Sequence, residues 1–254
     1  MNKLKERLLS SQWILKLRSS VMIVLNLLFL DKMQHRAYRR FANKEIEDIP
    51  MDLNAKIQWL KIYDYSKNSL VEQCADKWRV RDYIKECGYS EILNEVYFIW
   101  RSKREMNPEE LPESFALKFN KEGGKNIICP DINASDRTEI IRKAKKWFQG
   151  EMAAATGELQ YRRSKPVIIC ERYLRPESGL LPNDYKVFCN NGIANIMLIC
   201  FDREHGLKLK FVDKNYQDMH YENEVHGGGI LPNKPVNFQK MFEIAQVLSK
   251  PFPH

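Results

Sequence analysis

The hydrophobic period of this chain switches near Gly88, and that switch limits the folds open to it. Before Gly88, apolar residues recur at helical spacing. In NAKIQWLKIYDY, Ile57, Leu60 and Ile62 combine with Trp59 and Tyr63 into an apolar face, and Asn54 is the expected cap. A second helix is expected from about Asp76, with Trp78, Val80, Tyr83, Ile84 and Cys87 on its apolar side. Gly88 suits its end, because glycine takes the left-handed conformation of a helix stop without penalty. After Gly88 the text reads mostly as strand. EILNEVYFIW (91–100) is a strand candidate, and FALKF (115–119) alternates apolar and other residues as a half-buried strand does. NKEGGK turns the chain and NIIC (126–129) returns it, a hairpin with a glycine-bearing loop. Thr138 to Gln149 is expected to be a helix, with Ile140, Ile141, Ala144, Trp147 and Phe148 on one side. Strands are expected at Val167–Cys170, Tyr185–Cys189, Ile193–Phe201 and Leu207–Asp213. Asn190-Asn191-Gly192 between two of them is a strong hairpin signal. Asn237 is the expected cap of a last helix carrying Phe238, Met241, Phe242, Ala245 and Leu248. The succession is α+β: a helical region over 1–75, a small subdomain over 76–165 and a second over 166–254.

The chain has 254 residues with 44% hydrophobic content, enough for one large core or two small ones. Its net charge of +8 suits an anionic partner, such as nucleotide phosphates, an acidic glycan, a membrane surface or nucleic acid. Charge alone does not choose among them, and no nucleic-acid-binding module is recognisable, so nucleic acid is not expected as a partner. None of the six cysteines forms a C-x-x-C pair, which argues against a zinc site. Four lie in or beside apolar runs, as buried free thiols do, and a reducing compartment fits.

Val21 to Leu30 (VMIVLNLLFL) is apolar but too short to span a bilayer, which takes about 20 residues. Lys3, Lys5, Arg7, Lys16 and Arg18 precede it, and Lys32, Arg36, Arg39 and Arg40 follow. No small-x-small cleavage site follows, as a signal peptide would require. Two readings stand: a buried core helix, or an interfacial helix over residues 13–40 held against anionic lipid by its basic flanks.

The residues able to carry chemistry fall in two places. Lys118 lies on a strand just before Gly123 and Gly124. Adjacent glycines let backbone N–H groups approach a phosphate closely, and the lysine adds a fixed positive charge. The plain alternative is a turn that needs glycine only for its backbone angles. No Walker A loop is present. The second place is CERYL followed by LPNDYKVFC. Glu171 is expected to end an apolar strand, where a carboxylate can accept from an adenine amino group or a ribose hydroxyl. Asp184 and Lys186 are two apart on one strand and so share a face. A surface salt bridge between them is the plain alternative.

Taken in register, these pieces resemble the ATP-grasp enzymes. The shared features are Asp76-Lys77, Lys118 before Gly123-Gly124, and Glu171-Arg172-Tyr173-Leu174. The wider text is similar to one branch, the TupA-like family of teichuronopeptide biosynthesis. LNAKIQWLKIYD, ADKWRVRDYIKECG, LPESFALKFNKEGGKNIIC, ERYL, DYKVFCNNG and MFEIAQVLSKPFPH carry that likeness, from about residue 38 onward. The resemblance implies ATP held between two α+β subdomains. Lys77 and Lys118 would neutralise its phosphates, and Gly123 and Gly124 would form the loop that closes over them. Glu171 would meet the adenine amino group, with the backbone of Arg172 to Leu174 along the hinge. Asp184 would bond the ribose, and Lys186 would face the phosphates or the acceptor. The implied reaction is ligation of a carboxylate to an amine through an acyl phosphate, on a cell-surface polysaccharide or sugar precursor. The implied setting is the bacterial cytoplasm or the inner face of its membrane.

Two departures from the family's pattern stand out. Relatives usually carry a loop like N-H-G-S-G-G, whereas this chain has Asn120-Lys121-Glu122-Gly123-Gly124, with an acid close to the phosphate position. Relatives also continue past the PFPH segment into strands whose carboxylates hold Mg²⁺. The expectation is therefore a second subdomain that is incomplete and a ligase impaired in turnover, with a non-catalytic nucleotide-binding remnant as one alternative. A glycosyltransferase of the same pathway is the other alternative, although no D-x-D occurs and Asp202-Arg203-Glu204 is the nearest form. His226-Gly227-Gly228-Gly229 imitates a lipase oxyanion loop, but no G-x-S-x-G elbow accompanies it.

Overall fold

The structure is a computed structural model that describes residues 12–121, 123–149, 157–176, 179, 181–221 and 225–253. The fold is α+β, with antiparallel sheets. The chain divides into two compact units. One comprises Met1–Tyr83 and Asn94–Arg172, the other Ile84–Leu93 and Tyr173–His254.

Unit one begins with α1 (Gln12–Ala42), a 31-residue helix kinked at Phe29. It ends at Asn43, whose φ of 51° is the left-handed stop that asparagine tolerates. The apolar run from Val21 does form helix, but it is not a core helix. Leu17, Val21, Val24 and Leu28, spaced along one side, are exposed, while Asn26 and Gln34 are buried. Gln34 donates to Asn26 Oδ1 at 3.2 Å, so the inward side pairs its own polar groups. Among the described residues no helix is long and apolar enough to cross a membrane.

Helix α2 (Leu53–Leu60) is capped by Asp52, not by the expected Asn54. Asp52 Oδ1 accepts from Ala55 N at 2.9 Å, placing the helix start two residues earlier. Tyr38 of α1 donates to the same carboxylate at 3.0 Å, and Tyr38, Ile46, Ala55 and Ile62 form a small core there. Helix α3 (Ser69–Ala75) is capped by Asn68, and α4 (Val80–Glu86) follows after a tight turn at Asp76. Gly88 has φ +86°, as its expected role as a helix stop requires.

The expected strand over 91–100 is half its length. Ser90–Ile92 is a 3₁₀ turn, and β1 is Val96–Trp100. It joins β2 (Phe115–Phe119), β3 (Asn126–Cys129) and β4 (Ile168–Arg172) in the order β1-β4-β2-β3, all neighbours antiparallel. Period-two alternation gives the sheet two different faces. Phe115, Leu117, Phe119, Ile168 and Cys170 point into the main core, where α5 (Arg137–Lys145) packs Ile140, Ile141 and Ala144. Lys118 and Glu171 alternate with them and so belong to the other face.

In unit two, β5 (Asp184–Asn190), β6 (Ile193–Phe201) and β7 (Lys208–Asp213) form an antiparallel meander. Asn191 (φ 50°) and Gly192 (φ 74°) make the two-residue turn expected there, since both central positions need positive φ. Helix α6 (Phe238–Ser249) covers one face, sending Phe238 and Phe242 against Met197, Ile199 and Val212. Asn237 stands at its start but makes no side-chain cap bond, and Phe238 N bonds to Pro235 O instead.

Candidate functional site

Lys118 leaves the face of β2 opposite the main core, one residue before the strand ends. Its Nζ lies 2.7 Å from Glu171 Oε2 on the neighbouring β4. Lys118 is opposite Ile169, so Glu171 is its diagonal neighbour, within reach of a long side chain. Glu171 does not end its strand as expected. It sits inside β4, 5% exposed, where a lone carboxylate would be costly. A second cation offsets that cost: Arg81 Nη1 is 3.9 Å from Glu171 Oε1. Arg81 is itself fixed by donating to Asn94 O at 2.7 Å, and Asn94 donates to Arg172 O at 2.8 Å. The sequence signals neither Arg81 nor Asn94 as part of this cluster.

At the end of β2 lies Asn120, fully buried and fully bonded. Its Nδ2 donates to Asp76 Oδ2 at 2.7 Å and to Lys165 O at 2.9 Å. Its Oδ1 accepts from Val167 N at 2.9 Å, and its carbonyl accepts from Lys77 N at 3.1 Å. Asp76 Oδ1 accepts from Trp78 N and Arg79 N at 2.8 and 3.1 Å, closing the turn that carries Lys77. The D-K pair is thus tied through Asn120 to the lysine strand, two residues past Lys118. Asn120 had only its place in the loop to signal this, and a loop asparagine is usually a turn former.

Gly123 and Gly124 are exposed, with nothing within 4 Å of where a Cβ would stand. Gly124 has φ +75°, so its backbone is one that glycine supplies at little cost. Lys125 folds back over the Phe119 ring at 4.9 Å. Glu122, the acid expected near the phosphates, lies outside the described residues.

Arg172 is at the last position of β4, with Nη1 3.9 Å from Glu95 Oε2. Leu174, half exposed, follows where the first unit ends and the second begins. In unit two, Asp184 and Lys186 pair with each other at 3.0 Å on β5, and Lys186 also reaches Cys200 Sγ at 3.2 Å. Both side chains are about half exposed. The Asp184 carboxylate raises the Lys186 pKa above its ordinary value. So Lys118 and Glu171 come together as a pair, Lys77 is joined to them by backbone, and Asp184 and Lys186 form a separate pair.

A lysine strand leading into an open glycine hairpin, a D-K turn and a glutamate on the adjoining strand define an α+β protein of ATP-grasp type. The chain belongs to the TupA-like ATP-grasp family, whose profile, described as TupA-like ATPgrasp, matches residues 55–254. No curated protein and no solved structure matches it significantly. The family generally uses ATP and Mg²⁺. Among the described residues, no three His, Cys, Asp or Glu side chains gather as a metal ion would need.

Proposed function

We propose that this chain is an ATP-dependent carboxylate–amine ligase acting on a cell-surface polysaccharide or its sugar precursor. The observation that carries the reading is the Lys118–Glu171 pair, 2.7 Å long, beside an open glycine hairpin within the family's span. In this reading Lys118 exchanges its carboxylate partner for an ATP phosphate. That exchange frees Glu171 to accept from the adenine amino group. Lys77 adds a second charge, and the backbone N–H groups at Gly123 and Gly124 cradle the phosphate oxygens. The backbone from Arg172 to Leu174 lies along the base, Asp184 bonds the ribose, and Lys186 faces the phosphates. An oxygen of the acceptor carboxylate attacks the γ-phosphorus and ADP leaves. The amine nitrogen then attacks the acyl carbon and inorganic phosphate departs.

The same reading places the protein in the bacterial cytoplasm, with α1 resting on the inner face of the membrane. The exposed row Leu17, Val21, Val24 and Leu28, followed by Lys32, Arg36, Arg39 and Arg40, supports that contact. Co-sedimentation with anionic vesicles, lost in Val24→Asp, Leu28→Asp, is the expected result.

Calorimetric titration with ATP, with and without Mg²⁺, beside a Lys118→Ala variant, tests the nucleotide site. Binding that the variant loses supports it. Absence of ATP binding to the folded chain removes the reading. Phosphate release then separates a working ligase from a chain that binds the nucleotide without turnover.

A further inference from the structure

Glu171 has two cationic neighbours within unit one, and they are held differently. Lys118 bonds to Oε2 at 2.7 Å from a flexible stem, and its side chain is 36% exposed. Arg81 stands at the other oxygen, with Nη1 3.9 Å from Oε1 and a side chain 15% exposed. That distance is too long for a hydrogen bond but short for two charges so little screened by water. Arg81 places its hydrogen bond elsewhere: Nη2 donates to Asn94 O at 2.7 Å. Asn94 is in turn clipped to the strand ends. Its Nδ2 donates to Arg172 O at 2.8 Å, and its Oδ1 accepts from Glu95 N at 3.0 Å. Arg172 N donates to Glu95 O at 3.0 Å and closes the clip. Arg81 is therefore a tethered cation, and Lys118 is a cation with room to move.

The helix that carries Arg81 does not account for it. Arg81 is the second residue of α4, and the helix dipole disfavours a cation in a first turn. Glu171 on the neighbouring strand is the charge that explains an arginine there. A guanidinium is weakly hydrated and suits a partly buried ion pair better than an ammonium does.

We propose that Arg81 is a positioning residue of the nucleotide site: as the fixed counter-charge of Glu171, it lets Lys118 leave for the phosphates. The inference rests on the exchange of partners proposed above for Lys118. Taking a cation from a buried carboxylate is costly where no other charge stands beside it. With Arg81 tethered, Glu171 keeps a cation at Oε1 when Lys118 departs. Arg81 attracts the carboxylate without taking up its lone pairs, so Oε2 is left able to accept from a base amino group. Without Arg81, Lys118 is the remaining cation beside Glu171, and a nucleotide has to compete against a stronger pair.

The test is calorimetric titration of the full chain with ATP, comparing the parent with Arg81→Gln, Arg81→Lys, Glu171→Gln and the double variant Arg81→Gln, Glu171→Gln. Circular dichroism checks that each is folded, and Arg81→Met replaces Arg81→Gln if the latter does not fold. Arg81→Gln is expected to weaken ATP about 10-fold. Arg81→Lys keeps the charge and is expected to stay within about 3-fold of the parent. In the Glu171→Gln background no carboxylate retains Lys118, so Arg81→Gln is expected to change ATP affinity by less than about 2-fold. A merely structural arginine would not give that dependence on Glu171. The proposal is overturned if Arg81→Gln binds ATP as the parent does, if Arg81→Lys loses as much as Arg81→Gln, or if the loss is the same in both backgrounds. If the parent binds ATP and Lys118→Ala abolishes binding while Arg81→Gln leaves it unchanged, the role of Arg81 alone falls. If the folded parent does not bind ATP, the nucleotide reading and this role fall together.

Discussion

Each sheet carries a lysine–carboxylate pair on the face away from its helix-covered core, and the two pairs are built differently. In the four-stranded sheet, Lys118 and Glu171 come from adjacent strands, and the Glu171 side chain is 7% exposed. In the three-stranded sheet, Asp184 and Lys186 come from one strand, and the carboxylate side chain is 47% exposed. The distances are nearly alike, 2.7 and 3.0 Å. Distance therefore does not rank them; burial does. Water screens the second pair and competes for both partners, so its net worth is small. Glu171 has little access to water, and Lys118 and Arg81 are the cations beside it. The first pair is a buried contact, and the second is a surface contact that water can take over at little cost.

The largest effect is expected from breaking the buried pair on one side only. Lys118→Ala leaves Glu171 with Arg81 at 3.9 Å as its remaining cationic neighbour. The expected loss is about 2–3 kcal/mol in urea unfolding, below the full cost of an orphaned buried charge because Lys118 is partly exposed. Adding Glu171→Gln to that variant removes the stranded charge and is expected to return about half the loss. A double variant no more stable than Lys118→Ala would show that Glu171 does not depend on the lysine.

A third pair sharpens the comparison from between the extremes. Lys210 and Asp218 in unit two lie 2.8 Å apart, with side chains 13% and 18% exposed. The Lys210 ammonium, with His220 N as a further donor, lowers the Asp218 pKa below its ordinary 3.8. A carboxylate whose folded pKa is depressed binds fewer protons folded than unfolded. Its contribution is therefore fully present above the ordinary value and is lost as pH falls through the folded one. Asp218→Asn is expected to cost about 1–2 kcal/mol at pH 7. The gap to the parent protein should close below about pH 4 in chemical unfolding followed by circular dichroism. A gap that stays constant down to pH 2.5 would mean that the pair contributes nothing through its charge.

What the sequence made legible follows the range over which each contact acts. The Asn191-Gly192 turn and the Asp184–Lys186 pair are local, and period two alone puts 184 and 186 on one face. The Lys118–Glu171 pair joins residues 53 apart, and it needs the β2–β4 register that no local pattern encodes. Asn120 was hidden for the same reason: its partners come from 76–77 and 165–167, far along the chain. In α1 the apolar run hid the side that turns inward. Asn26, Gln34 and Tyr38 are spaced by eight and four residues, a helical stripe of polar-tipped side chains, and that stripe is buried. The strand expected from residue 91 began at 96 because Ser90–Ile92 forms a 3₁₀ turn, and short apolar runs do not fix their own boundaries.

The smallest effect on stability is expected at Asp184, and that smallness is informative. Asp184→Asn removes a charge whose partner is 54% exposed and free to turn to water. Unfolding should change by less than about 0.5 kcal/mol, and 0.5 M salt should reproduce the loss in the parent protein. Asn keeps an acceptor oxygen but loses the charge that strengthens a bond to a ribose hydroxyl. Under the proposed function, ATP affinity should therefore fall several-fold while stability stays level. If stability falls by as much as in Lys118→Ala, burial is not what separates the two pairs. If affinity and stability both stay level, Asp184 has no part in nucleotide binding, and the candidate site retreats to unit one with Lys77, Lys118 and Glu171.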